Sequence, residues 1–323
     1  MRAFPDDKQL MIDCITAMSG VILFNRDNGL RAGALGGLNY SWGFYSTHMD
    51  DPDVTALGGA IGCFMDYVDE NRAIGRELGV PEGLVQNMRN NFHGKYSDWA
   101  YEPVKHSLYA LSSTTWRNQD IVMKEGFVPL DIAILLEHGH ESKIAEESLQ
   151  VVKALTAYSD DYRHVMANEG LFKALAHVLD TRYFDRGAVS LIAESTIYLI
   201  GPAWEGSPEG IAREIAYNAK IQEQATEQGF VDALLRVAMS PVEMKHFEHG
   251  AFNFNIDQAY PAQMNTYVAL NTLAKGSPVN QATMVQAGIV ANIAAKFPTL
   301  EDNAKPEACK LVATLHQQLN TCP

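Results

Sequence analysis

The chain has 323 residues, with Lys+Arg 25 against Asp+Glu 39 and a formal net charge of −14. That balance lacks the clustered cations that release counterions from nucleic-acid phosphates or hold an anionic membrane face, so neither is the expected partner. With 47% hydrophobic and 20% charged residues the chain is composed to fold, and its longest apolar runs, 21–24 and 132–136, fall far short of the ~18 residues a membrane helix needs.

The first residues, Met1-Arg2-Ala3-Phe4-Pro5-Asp6-Asp7, turn acidic without an apolar stretch, which suits neither a signal peptide nor a transit peptide. A presequence already removed would leave no mark here. Residues 10–25 then carry a helical pattern, followed by a Gly-rich stretch over 29–43. Gly33-Ala34-Leu35-Gly36-Gly37 and Gly58-Gly59-Ala60-Ile61-Gly62 are flanked by helical periodicity, follow no strand and lack a Gly-Lys-Ser/Thr ending. They read as small residues that let two helices approach closely. Phosphate binding is rejected.

From there a short phrase recurs: a polar residue or Ala, then Gly, then the apolar-rich start of a helix. It reads Glu82-Gly83-Leu84-Val85, Glu125-Gly126-Phe127-Val128, Glu169-Gly170-Leu171-Phe172, Gln228-Gly229-Phe230-Val231 and Ala287-Gly288-Ile289-Val290. Its glycines lie 43, 44, 59 and 59 residues apart, a basic period followed by two expanded ones. Each sits between two amphipathic patterns, where the chain must turn sharply and a residue tolerating positive φ is favoured. Between glycines, a middle helix, a longer helix and a short helix follow in turn, with a break at His138-Gly139-His140 and no hairpin signal. The class is all-α.

At this point the chain resembles the armadillo family. Residues 148–158 and 168–175 match an armadillo third helix, the end of the next first helix and the Gly before the second. Residues 267–276 with 286–290, and 106–113 with 124–127, match likewise. The resemblance covers roughly residues 50–320 and implies a right-handed α-solenoid of three-helix repeats. It is read as one solenoid over 1–323, with 1–48 as a degenerate N-terminal capping repeat.

Armadillo adaptors that carry nuclear import signals project Trp and, four residues on, Asn from their third helices. The matching pairs here are Tyr109/Ser113, Lys153/Ala157, Ile197/Gly201 and Val268/Thr272, and no Trp–Asn pair survives. The tryptophans Trp42, Trp99, Trp116 and Trp204 read as helix starts or loops instead. Tyr109, Ser113, Lys153, Val268 and Thr272 are therefore partner-binding candidates of a different specificity.

The two expansions are read as insertions over 201–217 and 240–261. The second carries Phe247, Phe252, Phe254 and Tyr260 between Pro241 and Pro261. So many aromatics do not suit a solvated linker, and solenoid insertions often map to the binding face. These four are candidates too, either covering their own solenoid or anchoring a partner.

Chemistry is thin elsewhere. His246 and His249 could share a helix face as metal ligands, but no third ligand is evident. Glu146-Glu147 and Asp160-Asp161 read as helix-start carboxylates that complement the dipole. Cys14, Cys63, Cys309 and Cys322 are far apart, with no Cys-x-x-Cys, and read as free thiols of a reducing compartment, cytoplasm or organelle matrix. No nucleophile elbow or triad context appears, so no enzyme activity and no cofactor are expected. The resemblance implies a scaffold or adaptor for one or more proteins, an accessory subunit of a larger assembly such as a mitochondrial or ciliary one. The alternatives are a metal-dependent enzyme centred on His246 and His249, and a transport adaptor for an extended basic peptide.

Overall fold

The structure, a computed structural model, describes residues 7–23, 25–55, 57–66, 68–91, 101–182, 185–201, 208–240, 262–317, 319 and 322. Every regular element among them is helical. The chain divides into two units: Met1–Ile134 with Gln150–Tyr158, and Leu135–Leu149 with Ser159–Pro323.

The first unit opens with α1 (Lys8–Ile22), whose start is set by Asp7 accepting the Leu10 N–H at 3.0 Å. Then come α2 (Arg26–Ala34), α3 (Gly37–Thr47), the short α4 (Pro52–Thr55) and α5 (Gly58–Met65). The cycle of a first, a second and a third helix runs again as α6 (Asp69–Glu77), α7 (Val80–Asn91) and α8 (Tyr101–Thr115), then α9 (Gln119–Lys124). Helices α10 (Phe127–His138) and α11 (Ser142–Thr156) contribute residues to both units. Leu38, Tyr45, Ile61, Phe64, Leu84, Met88 and Leu108 are fully buried and form this unit's core.

The second unit continues with α12 (Asp160–Glu169), α13 (Leu171–Arg182) and α14 (Arg186–Leu199), then α15 (Pro208–Glu227), α16 (Phe230–Met239) and α17 (Ala262–Ala274). It closes on α18 (Pro278–Gln286), α19 (Ile289–Lys296), a 3₁₀ turn over Phe297–Thr299 and α20 (Ala304–Thr314). The Phe172 and Phe230 rings lie 5.2 Å apart and tilted between successive second helices, and Leu175, Ile192, Leu234, Leu270 and Ile293 are buried in the same unit. The first of the two sequence expansions runs into α15, which has 20 residues where α12 has 10.

The turn glycines emerge as Gly36, Gly79, Gly126, Gly170, Gly229 and Gly288, all with positive φ and each standing before a second helix. This corrects the register in one repeat: the turning residue is Gly79, not Gly83. Gly83 lies inside α7, where a Cβ would come within 2.6 Å of the Trp42 ring, so it is small for packing and not for φ. Trp42 itself lies within α3 and donates its Nε1–H to Leu78 O at 2.8 Å, and so is no helix-start residue. Trp116 does follow the end of α8, and Trp99 and Trp204 lie outside the described residues.

The small-residue stretches behave as close approaches. A Cβ at Gly62 would lie 2.9 Å from Ala110 Cα, one at Gly58 3.1 Å from the His106 main chain, and one at Gly33 would collide with the Asn71 side chain. Asp160 and Asp161 occupy the first turn of α12 as expected, whereas Glu146 and Glu147 sit in the second turn of α11, with Glu147 buried.

The thiols require a correction. Cys309 and Cys322 form a disulfide, because the chain reverses after α20 and brings their Cα atoms to 5.5 Å. Cys14 and Cys63 are free and half-buried, and burial pushes the Cys63 thiol up from its ordinary value.

Candidate functional site

The candidate surface is built from the third helices. In the first unit, Tyr109 of α8 is half-buried and lies over the Gly62 surface of α5, its hydroxyl 4.0 Å from Cys63 Sγ. Ser113, one turn on, is 6% exposed, and its hydroxyl donates to Tyr109 O at 3.2 Å. Its own carbonyl accepts from Arg72 Nε at 2.7 Å. Lys153 of α11 is half-buried.

The second unit repeats this arrangement with different residues. Val268 and Thr272 of α17 are half-buried. The Thr272 hydroxyl donates to Val268 O at 2.8 Å, and the Thr272 carbonyl accepts from Gln222 Nε2 at 2.9 Å. In both units the hydroxyl four residues after the first candidate spends its proton on its own helix. At half-buried Thr272 what remains is acceptor capacity, whereas Ser113 is buried. An Asn at that position could donate to and accept from a passing peptide backbone at once; Ser113 and Thr272 cannot.

The aromatic candidates of the 240–261 insertion, Phe247, Phe252, Phe254 and Tyr260, lie outside the described residues, as do His246 and His249. Among the described residues no group of three or more His, Cys, Asp or Glu side chains is placed to hold a metal ion. His138 ends α10 and is buried, which holds its imidazole below the ordinary value. The carbonyl of neighbouring His140 accepts from Arg182.

Two sets of polar residues that join repeats were missed in the sequence. One reaches back to the preceding third helix: Asn28 Nδ2 donates to Val21 O at 3.0 Å, Asn71 Nδ2 to Phe64 O at 2.6 Å, and Asn280 Nδ2 to Leu273 O at 2.9 Å. Each of these carbonyls lies in the last turn of its helix or one residue before its end, where partners are otherwise scarce. The other set reaches forward to the next third helix: Arg72 to Ser113 O, Arg163 to Tyr198 O at 3.2 Å, and Gln222 to Thr272 O and Lys275 O. A signal was available. Asn28, Asn71, Asn118 and Asn280 each stand eight residues before a positive-φ glycine.

A polar row also precedes the candidates by three residues: His106 and Gln150 in the first unit, Glu194 and Asn265 in the second. Asn265 is 5% exposed and donates to Ser190 Oγ at 2.9 Å and Glu194 Oε1 at 3.2 Å. The first unit's surface also carries charge pairs across repeats. Arg117 and Arg72 flank Asp69 at 2.5 and 2.8 Å and hold its carboxyl at about 2, while Arg76 pairs bidentately with Asp120 at 2.8 and 2.7 Å.

No protein-family model matches the chain, and no curated protein matches it. Solved structures do. A designed armadillo repeat protein superposes with a TM-score of 0.59 at 11% identity, over 84% of this chain and 98% of that one. A second designed armadillo repeat protein, in complex with the peptide (KR)4, gives 0.57 at 11% identity, over 84% and 98%. The structure of Uso1-2 gives 0.55 at 15% identity over 97% of this chain, which spans 51% of that one. Together with the recurring first, second and third helices and their turn glycines, these likenesses establish that the chain has an armadillo-like repeat fold.

Proposed function

We propose that the chain is a non-enzymatic scaffold or adaptor that binds another protein along its third helices. The observation that carries this reading is the set of half-buried third-helix side chains, Tyr109, Lys153, Val268 and Thr272, left partly open by packing in a repeat fold. A stacked-repeat fold offers an extended surface of this kind and builds binding from many modest contacts. In this reading the repeats form one solenoid over 1–323, and the insertion over 240–261 supplies Phe247, Phe252, Phe254 and Tyr260 as further anchors. The chain then serves as an accessory subunit of a larger intracellular assembly.

Affinity purification from the native source with mass spectrometry tests it. A stoichiometric partner should appear, and Lys153→Glu with Val268→Asp, or deletion of 247–258, should each release it while the fold melts cooperatively. Retention of the same partner by both variants would overturn the reading.

A second reading has a specific observation behind it. The net charge of −14 suits a basic segment, and one structural neighbour is in complex with (KR)4. Fluorescence anisotropy with a Lys/Arg-repeat peptide separates the two. Binding that vanishes between low and physiological salt is nonspecific attraction, whereas salt-resistant binding lost in Val268→Lys and Thr272→Lys, which add cations to the surface, identifies a basic peptide as the ligand.

A further inference from the structure

The amide ties that join repeats also align them residue by residue. Asn28, Asn71 and Asn280 donate to the carbonyls of Val21, Phe64 and Leu273, so these three occupy one position of the third helix. Phe64 and Leu273 are fully buried. Phe64 lies against the start of its own repeat's second helix, α3, where a Cβ on Gly37 would come within 3.0 Å of the ring. Val21 is 63% exposed. It belongs to α1, and among the described residues no second helix precedes α1.

The turn glycines give a separate alignment. Gly83 and Asn292 stand four residues after Gly79 and Gly288, and both meet the preceding second helix. A Cβ on Gly83 would press on Trp42 of α3, and Asn292 Nδ2 donates to Met239 O of α16 at 3.5 Å. Ala174 and Ala233 hold the same position and are fully buried. The residue before the glycine reaches the same way: Gln228 Oε1 accepts the Lys173 N–H of α13 at 3.0 Å. In the first repeat these two positions are Tyr40 and Leu35, which are 38% and 68% exposed.

Val21, Leu35 and Tyr40 line one groove of about 550 Å³, with Met18 and Ile22 beside them and Arg31 as its charged residue. Both alignments therefore point to the same seat, that of a second helix packed on α1 and α3 together. We propose that this groove binds an amphipathic helix of a partner protein, which continues the stack of second helices in trans. The helix lays apolar residues three and four apart over Val21, Leu35 and Tyr40. An Asp or Glu at its edge meets Arg31, which is exposed in the last turn of α2. This surface shares no residue with the third-helix candidates, so the two readings fail separately.

A phage-displayed library of 16-residue amphipathic helical peptides, panned against the full chain, tests the proposal. Enriched peptides should carry one apolar face with an acidic residue at its edge. Their affinity, read by fluorescence anisotropy, should fall at least tenfold in Val21→Lys and in Leu35→Lys. Both positions are exposed, and circular dichroism should show the fold unaltered. Arg31→Glu should weaken the acidic peptides and tighten versions with Lys in place of the acid. Val279→Lys, an equally exposed apolar position elsewhere, should change nothing, and neither should Val268→Asp. No enrichment, or enriched peptides indifferent to Val21→Lys and Leu35→Lys, would overturn the proposal. So would a dimer in sedimentation velocity that Val21→Lys abolishes, because the occupant would then be a second copy of this chain.

Discussion

Two third-helix contacts, one in each unit, solve the same packing problem by different means. In the first unit α5 meets α8 through Gly58, Gly59 and Gly62, whose missing side chains let the helices close to main-chain contact. In the second, α14 meets α17 through Asn265, which bridges Ser190 and Glu194 from a buried position. The glycine seam depends on shape and the amide seam on hydrogen bonding, so they fail differently. Adding atoms should break the first, and removing one polar partner should break the second.

The largest expected effect is Gly62→Val. Its new Cβ would press on Ala110 Cα at 2.9 Å and on the Tyr109 ring at 3.0 Å, and main chain cannot yield as a flexible side chain does. A loss of about 3 kcal/mol is expected, read from the urea midpoint. Asn265→Leu should cost about 2 kcal/mol, because it strips Ser190 and Glu194 of a buried partner. Adding Ser190→Ala should cost less than the two single changes predict, since that hydroxyl is no longer orphaned; strict additivity in the double-mutant cycle would refute the amide seam.

Gly170→Val isolates backbone from packing. Its φ is 99°, yet a Cβ there meets nothing within 4 Å. A loss of about 1 to 2 kcal/mol from conformational strain alone is expected, and a neutral result would contradict the left-handed turn.

The smallest effect is electrostatic. Asp69 titrates at about 2 in the fold, chiefly through Arg117 and then Arg72, against an ordinary value of 3.8. A lowered folded value means the pair stabilises above about pH 4 and loses that contribution as pH falls through about 2. The gain is small because solvent screens this half-exposed carboxylate. Thermal melts between pH 4 and 2 should therefore fall slightly more steeply for the native chain than for Asp69→Asn.

The glycine seam was legible: a run of small residues inside a helical pattern has close approach as its main physical use. The amide seam was not, because Asn265 finds Ser190 75 residues away and nothing local marks it as a bridge. The phrase Glu82-Gly83-Leu84 misled for a related reason. It copies the turn phrase of the other repeats, but only the backbone shows that Gly79 turns and Gly83 packs against Trp42.

By itself, then, the sequence determined the all-helical class, the repeat period and most of the turning glycines, since 3.6-residue periodicity and positive φ are demands met within a few residues. Tertiary structure alone decided which cysteines pair, which polar side chains tie one repeat to the next, and which third-helix candidates remain open. Ser113 was as good a candidate as Thr272 in the sequence, yet packing buries Ser113 and leaves Thr272 half-open. Such outcomes depend on the distance between residues tens of positions apart, and only the closed packing of the helices sets that distance.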